Sequence, residues 1–179
     1  VGAAAAGAWA SGGNVNTARR LQGSAGTQTA NLMFGGTPTI ASTEKYNGTS
    51  WTEVNDLNTG RRANQGFGLQ GAAISGGAPG SATTEAFNGT SFSEVNDLNE
   101  GRQNFGMFGT STSAIAAGGE AGTTADVESW NGTSWTEIAE LNTARDRAGG
   151  AGSSNSEGIV FGGTTDGGST PVAITESWN

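Results

Sequence analysis

The stretch Thr83-Thr84-Glu85-Ala86-Phe87-Asn88-Gly89-Thr90-Ser91-Phe92 decides how this chain folds. Thr83 to Phe87 has the polar and apolar alternation of a half-buried strand. Asn88-Gly89 is a dipeptide suited to a tight hairpin turn, because both residues tolerate positive φ. Phe92 to Val95 then reads as the outer strand. Upstream, Ala72 to Gly77 is a short apolar run ending in a glycine pair, which reads as a buried strand. The small-residue tract Gln65 to Gly71 precedes it as a further strand. Downstream, a loop through Leu98, Asn99 and Gly101 reaches Arg102.

The same wording recurs along the chain. Asn-Gly-Thr-Ser-aromatic stands at Asn47 to Trp51, Asn88 to Phe92 and Asn131 to Trp135, each preceded by Glu-x-aromatic (Glu44/Tyr46, Glu85/Phe87, Glu128/Trp130). Glu176-Ser177-Trp178-Asn179 opens a fourth copy. A glycine pair closes each apolar run, at Gly36, Gly77, Gly119 and Gly163. Arg19, Arg61, Arg102 and Arg145 follow one another at intervals of 42, 41 and 43 residues, and Trp9 stands ahead of Arg19 at the offset that Trp51, Phe92 and Trp135 keep from theirs. Four landmarks share one period, and that period is the length of a four-stranded propeller blade. The chain lacks a 3.6-residue apolar pattern, and the Ala3 to Ala6 run is too short and too closely flanked by glycine to hold a helix.

The prediction is therefore an all-β fold, a four-bladed β-propeller of four-stranded antiparallel sheets forming one domain over residues 1–179. The repeats run at about 19–60, 61–101 and 102–144, and 145–179 joins 1–18 as a composite blade. In that composite an N-terminal strand from Ala8 to Val15 completes the C-terminal blade and shuts the ring, leaving no free sheet edge. The expected species is a monomer, and the alternative is two chains combining into an eight-bladed ring. Gly23 to Gly26, Gly66 to Gly68 and Gly149 to Gly152 are expected innermost, where glycine permits close backbone approach. Phe105, Met107 and Phe108 make the third inner strand bulkier.

These residues resemble the kelch repeat: a glycine pair after an apolar run, a first aromatic (Tyr46, Phe87, Trp130, Trp178), a second (Trp51, Phe92, Trp135, with Trp9), and an Arg after a short loop. The likeness covers Trp9 to Asn179 but departs in period, kelch repeats being about 50 residues. The period would also suit a WD40 array, whose Gly-His and Trp-Asp signatures are missing. The wording Asn-Thr-Ala-Arg and Asn-Gly-Thr-Ser-Trp is similar to kelch-like arrays in structural proteins of marine bacteriophages. That resemblance implies a virion or extracellular setting and a tail-associated module meeting a host-surface glycan. An intracellular kelch-type protein–protein scaffold is the alternative, and a glycan-cleaving enzyme the third.

Composition narrows the chemistry. The chain has 179 residues, 32 of them Gly, no Cys, no His and a net charge of −8. Absence of Cys excludes disulfides, thiolate metal sites and cysteine nucleophiles, and absence of His removes the commonest general base and metal ligand. The copper chemistry that some kelch-like propellers carry needs both and is excluded. An acidic chain is poorly matched to nucleic acid, and no apolar run approaches the 18 residues of a membrane-spanning helix. The reading is of a non-enzyme with no catalytic residues, no cofactor and no metal. The chain does not begin with Met, which reads as a processed or excised fragment.

The arginines Arg19, Arg61, Arg102 and Arg145 equal in number the glutamates Glu44, Glu85, Glu128 and Glu176. One of each per repeat points to a structural pair inside or between blades, in preference to an anion site of converging arginines. Trp9, Trp51, Phe92 and Trp135 read as packing between blades in preference to a sugar-stacking ladder. Tyr46 has Phe87, Trp130 and Trp178 as register-mates, which argues against a nucleophile. Asn47, Asn88 and Asn131 form glycosylation sequons, but the turn already accounts for them. Glu120, Asp126, Asp146 and Asp166 fall outside the repeating register and read as solvated loop charges. Between each glycine pair and the following glutamate lie 37–43, 78–84, 120–127 and 164–175, expected as loops along one rim. The longest supplies the candidate ligand-contact loop Thr164, Thr165, Asp166, Gly167, Gly168 and Ser169.

Overall fold

The computed structural model describes residue 7, residues 9–120 and residues 123–179. They form fifteen strands and no helix, arranged in four antiparallel sheets. Strands β1 (Gly23–Thr27), β2 (Ala30–Phe34), β3 (Thr43–Tyr46) and β4 (Trp51–Val54) make the first sheet. The second holds β5 (Gln65–Leu69), β6 (Ala72–Ala78), β7 (Ser81–Phe87) and β8 (Phe92–Glu94). The third holds β9 (Gly106–Thr110), β10 (Ser113–Ala117), β11 (Val127–Trp130) and β12 (Trp135–Glu137). Three strands, β13 (Gly149–Ala151), β14 (Gly158–Phe161) and β15 (Thr175–Trp178), make the fourth. Within each sheet the strands lie in chain order, so each sheet is a meander.

The sheets hold together by burying their faces against one another. Leu32, Phe34, Ala73, Phe87 and Phe92 fill the space between the first and second sheets. Phe67, Ile74, Met107, Ala114 and Trp135 fill that between the second and third, and Phe108, Ile115, Ala117 and Val160 that between the third and fourth. First strands sit side by side in the order β1, β5, β9, β13. That approach depends on glycine: a Cβ on Gly66 of β5 would lie 2.7 Å from the Ser24 carbonyl oxygen of β1 and would also run into the Phe34 ring.

At the start of each repeat the chain passes through the left-handed region at a residue other than glycine: Leu21 (φ 57°), Ala63 (52°), Asn104 (54°) and Arg147 (54°). These residues link the repeats through their backbones. Ala63 N donates to Leu21 O at 2.8 Å, Asn104 N to Ala63 O at 3.4 Å and Arg147 N to Asn104 O at 2.6 Å. This line does not run on from Arg147 O to Leu21 N, and β13 does not pack on β1 as the other first strands pack on their neighbours.

The expected N-terminal strand differs in the structure. Ala3 to Ala6 and Ala8 lie outside the described residues, residues 9–15 form no strand, and Trp9 is fully exposed. The segment is anchored at the opposite end of the row, where Asn16 N and Nδ2 donate to Glu44 Oε2 at 2.7 and 2.9 Å and Asn16 Nδ2 donates to Trp51 O at 3.2 Å. It lies beside the first sheet, while β15 keeps a free outer edge among the described residues.

Two further details depart from the sequence reading. The Asn-Gly turns are four-residue loops in which only Gly48, Gly89 and Gly132 take positive φ. Each Asn instead uses its side-chain oxygen, as Asn88 Oδ1 does in accepting from Thr90 N at 2.9 Å and Ser91 N at 3.0 Å, so the carboxamide organises the turn. Residues 78–84 are not a loop, because β6 and β7 run on to Ala78 and Ser81 and leave only Pro79 and Gly80 between them. Substituting Gly66→Ala should force β5 away from β1 and lower the unfolding free energy by about 1–3 kcal/mol, the scale of overpacking, read from urea denaturation. Gly71→Ala, with open space around it, should cost at most a few tenths of that range.

Candidate functional site: the arginine clasps and the loop edge

Each of the four arginines enters its sheet from the loop before the first strand and meets the glutamate of the third strand. Arg19 Nη2 lies 2.6 Å from Glu44 Oε1 and Arg102 Nη2 2.6 Å from Glu128 Oε1, and Arg61 pairs with Glu85 and Arg145 with Glu176 in the same way. The guanidinium spends its Nη1 on backbone: Arg61 Nη1 donates to Thr83 O at 2.7 Å, Arg102 Nη1 to Asp126 O at 2.9 Å, Arg145 Nη1 to Ile174 O at 3.0 Å. The glutamate's second oxygen accepts two bonds from an asparagine three residues ahead of the arginine. Asn58 donates to Glu85 from N at 2.8 Å and from Nδ2 at 2.9 Å, and Asn99 donates to Glu128 from both groups at 2.8 Å.

A buried charge is tolerable only when its remaining polar atoms are satisfied, and these carboxylates are surrounded by donors. The loops carrying Arg61, Arg102 and Arg145 also reach the preceding sheet: Gly36 N donates to Arg61 O at 2.8 Å, Arg61 N to Ile40 O at 3.1 Å, Leu98 N to Ala82 O at 3.1 Å, and Gly119 N to Arg145 O at 2.9 Å. The loops of the second, third and fourth clasps therefore each tie their own sheet to the one before it, whereas the Arg19–Glu44 clasp braces the first sheet alone. Gly77 shows why a glycine pair is needed there. Its φ is +71°, and a Cβ would strike the Arg102 carbonyl oxygen.

The glutamates are not equally covered. The side chains of Glu44, Glu85 and Glu128 are 1% exposed or less, whereas Glu176 is 13% exposed. Partial burial works against ionisation of Glu176, but the Asn142 backbone and side-chain amides and the Arg145 guanidinium outweigh it and hold the carboxyl below its ordinary value. Burial lowers the Arg61 guanidinium from its ordinary value, with Glu85 opposing that shift.

The aromatics pair across the third and fourth strands of the complete sheets. Ring centroids are 5.0 Å apart for Tyr46–Trp51, 4.8 Å for Phe87–Phe92 and 5.2 Å for Trp130–Trp135. Phe92 and Trp135 are buried and also reach the preceding sheet, Phe92 meeting Phe34 edge-on at 5.6 Å and Trp135 meeting Phe67 at 6.3 Å. Trp51 is half-buried and Trp9 stands in solvent, so these four side chains do not line one surface.

The loops between second and third strands lie along the same edge as the arginine loops, with Arg20 bridged to Thr37, Ile40 to Arg61, Gln103 to Glu120 and Asp146 to Thr164. Within the candidate contact loop, Thr164 is buried and donates its hydroxyl to Asp146, whereas Thr165, Asp166, Gly167, Gly168 and Ser169 are exposed. Asp166 folds the loop around itself, accepting at Oδ1 from Ser169 N at 2.8 Å and Thr170 N at 2.7 Å. The Thr170 hydroxyl and these amides hold its carboxyl below the ordinary aspartate range.

Two of the off-register carboxylates are not solvated loop charges. Asp146 is fully buried and ion-paired with Arg147, which also pairs with the half-buried Glu120, itself accepting from Gln103 Nε2 at 2.7 Å. The left-handed turn at Arg147 brings these groups together, a conformation the sequence does not announce at an arginine. The asparagines Asn16, Asn58, Asn99 and Asn142 were also missed, although each stands three residues before its arginine and that recurrence was the available signal.

No protein-family model matches the sequence, and no curated protein matches it.

Removing one partner of a fully buried clasp should be costly. Glu85→Ala and Arg102→Ala are each expected to lower the unfolding free energy by about 3–5 kcal/mol, leaving a buried charge uncompensated. Glu176→Ala, at the more open clasp, should cost distinctly less in the same denaturation series. The depressed Asp166 carboxyl contributes order above its unfolded pKa and loses it as pH falls through the lower folded value. The hydrogen bonds from Ser169 N and Thr170 N to Asp166 should therefore persist at neutral pH and be lost only as pH falls below the ordinary aspartate range, read as an NMR chemical-shift titration of the two amides.

Proposed function

We propose that the four sheets are blades of a kelch-like β-propeller acting as a non-catalytic structural and recognition module, of the kind carried on a phage tail to meet a host-surface glycan. The observation that carries this reading is how the repeated charged groups are used. Four arginines and four glutamates, half of the 8 basic and a quarter of the 16 acidic residues, are committed to holding sheets together. A rigid scaffold whose loops gather along one edge and differ in length suits recognition, because binding residues concentrate on loops held by a stiff frame. The loop at 165–169 is exposed and internally braced by Asp166, so it presents polar groups at low ordering cost.

Neutral or basic surface polysaccharides, reached by hydroxyl and backbone donors on this loop, are better matched to a chain of net charge −8 than acidic ones. The test is a screen of the purified chain against bacterial surface polysaccharides, together with a variant in which 165–169 is shortened. Binding to a subset of glycans, lost in the variant, is expected. Binding unaffected by the shortening would discard the loop, and capture of a single protein partner with no glycan bound would favour the intracellular scaffold reading.

A further inference from the structure

We propose that the fourth sheet binds a second copy of this chain, whose residues 9–15 lie along β15 as its outer strand with Trp9 in the cavity between the third and fourth sheets. This rests on the sheet-to-sheet packing and not on the glycan reading. In each complete sheet the last strand brings an aromatic opposite the aromatic of the third strand, as Tyr46 faces Trp51, Phe87 faces Phe92 and Trp130 faces Trp135. At β15 the corresponding aromatic is Trp178, and the described residues place no strand opposite it.

A cavity of about 190 Å³ occupies that place, lined by Phe108, Ile115, Leu141, Val160 and Trp178 among others. Phe108 holds the position in the third sheet that Phe67 holds in the second, and Phe67 is the residue on which Trp135 packs. The cavity is thus the socket of a fourth-strand aromatic, and a pocket of about 150 Å³ with similar apolar walls already accepts a benzene ring. Glu176 is more exposed than its three counterparts for the same reason.

The open face of the fourth sheet is equally prepared. Ile159 and Phe161 are 38% and 45% exposed, whereas their register-mates Leu32 and Phe34, and Ile115 and Ala117, are buried against a following sheet. The segment 9–19 carries what the socket lacks: Trp9 ten residues before Arg19, as Trp135 stands before Arg145, and Val15 where Leu57, Leu98 and Leu141 stand. Leu57 N, Leu98 N and Leu141 N donate to Ala41 O, Ala82 O and Ala125 O, and the matching acceptor for Val15 N is Ala173 O. Within one copy the two parts are separated: Asn16 and Thr17 are tied to Glu44 in the first sheet, and β13 does not pack on β1. A head-to-tail contact between copies satisfies both, and two such contacts would shut an eight-sheet ring.

The test is sedimentation of the full chain from low to high micromolar concentration, with Trp9→Ala and Trp9→Phe beside it. Trp9 is exposed and outside every sheet, so circular dichroism should match the wild type in both variants. A dimer or larger assembly is expected, with Trp9→Ala raising its dissociation constant about tenfold or more, the scale of a buried aromatic anchor. Trp9→Phe should largely keep it, since Phe92 fills the same position in the second sheet. Trp9 emission should shift to the blue as the protein is concentrated. A monomer at every concentration, or an assembly indifferent to Trp9→Ala, would overturn the proposal.

Discussion

A glutamate carboxylate held out of water between one arginine and one asparagine is the constraint on which this fold depends. Desolvating it would be ruinous without full pairing, and pairing requires two separate pieces of chain to meet, the loop before the first strand and the third strand; in the second, third and fourth repeats that loop also bonds to the preceding sheet. Apolar burial between sheets supplies the non-directional attraction. The clasp supplies the geometry, because a slip of one residue in the third strand would turn Glu85 to the opposite face and strand Arg61.

Glycine and the aromatics follow from that geometry. The first strands must approach closely enough that Gly66 has no room for a methyl group, and the glycine pair must take a left-handed path beneath an arginine carbonyl. Wider space opens toward the outer strands, and there large rings are needed, which is why Phe92 and Trp135 span from their own sheet to the one before. Small residues on one side and large ones on the other give each sheet a wedge-like packing profile.

Much of this was legible in the sequence because the repeat imposes one register on every landmark. The strands of the second repeat, the glycine pairs and the arginine and glutamate positions could be read directly from their recurrence. Features that do not recur as a residue type were hidden. Leu21, Ala63, Asn104 and Arg147 share one backbone conformation but no side-chain chemistry, so no pattern marks them. Burial of Asp146 depends on Arg147 and Thr164 arriving from different elements. The outer strand assigned to Ala8 to Val15 had the right residues, but a strand needs a neighbour, and the described residues 9–15 lie beside the first sheet while β15 is elsewhere. Sequence periodicity identifies what a segment could complete, and only geometry identifies which edge it meets.

Amide hydrogen exchange at the four clasp asparagines tests the central claim most directly. If the buried carboxylates organise the fold, the Asn58 and Asn99 backbone amides, bonded to Glu85 and Glu128, should exchange only with global unfolding. The Asn142 amide, bonded to the more open Glu176, should exchange sooner. Exchange of Asn58 and Asn99 as fast as that of the turn residues Thr90 and Thr133 would contradict the account.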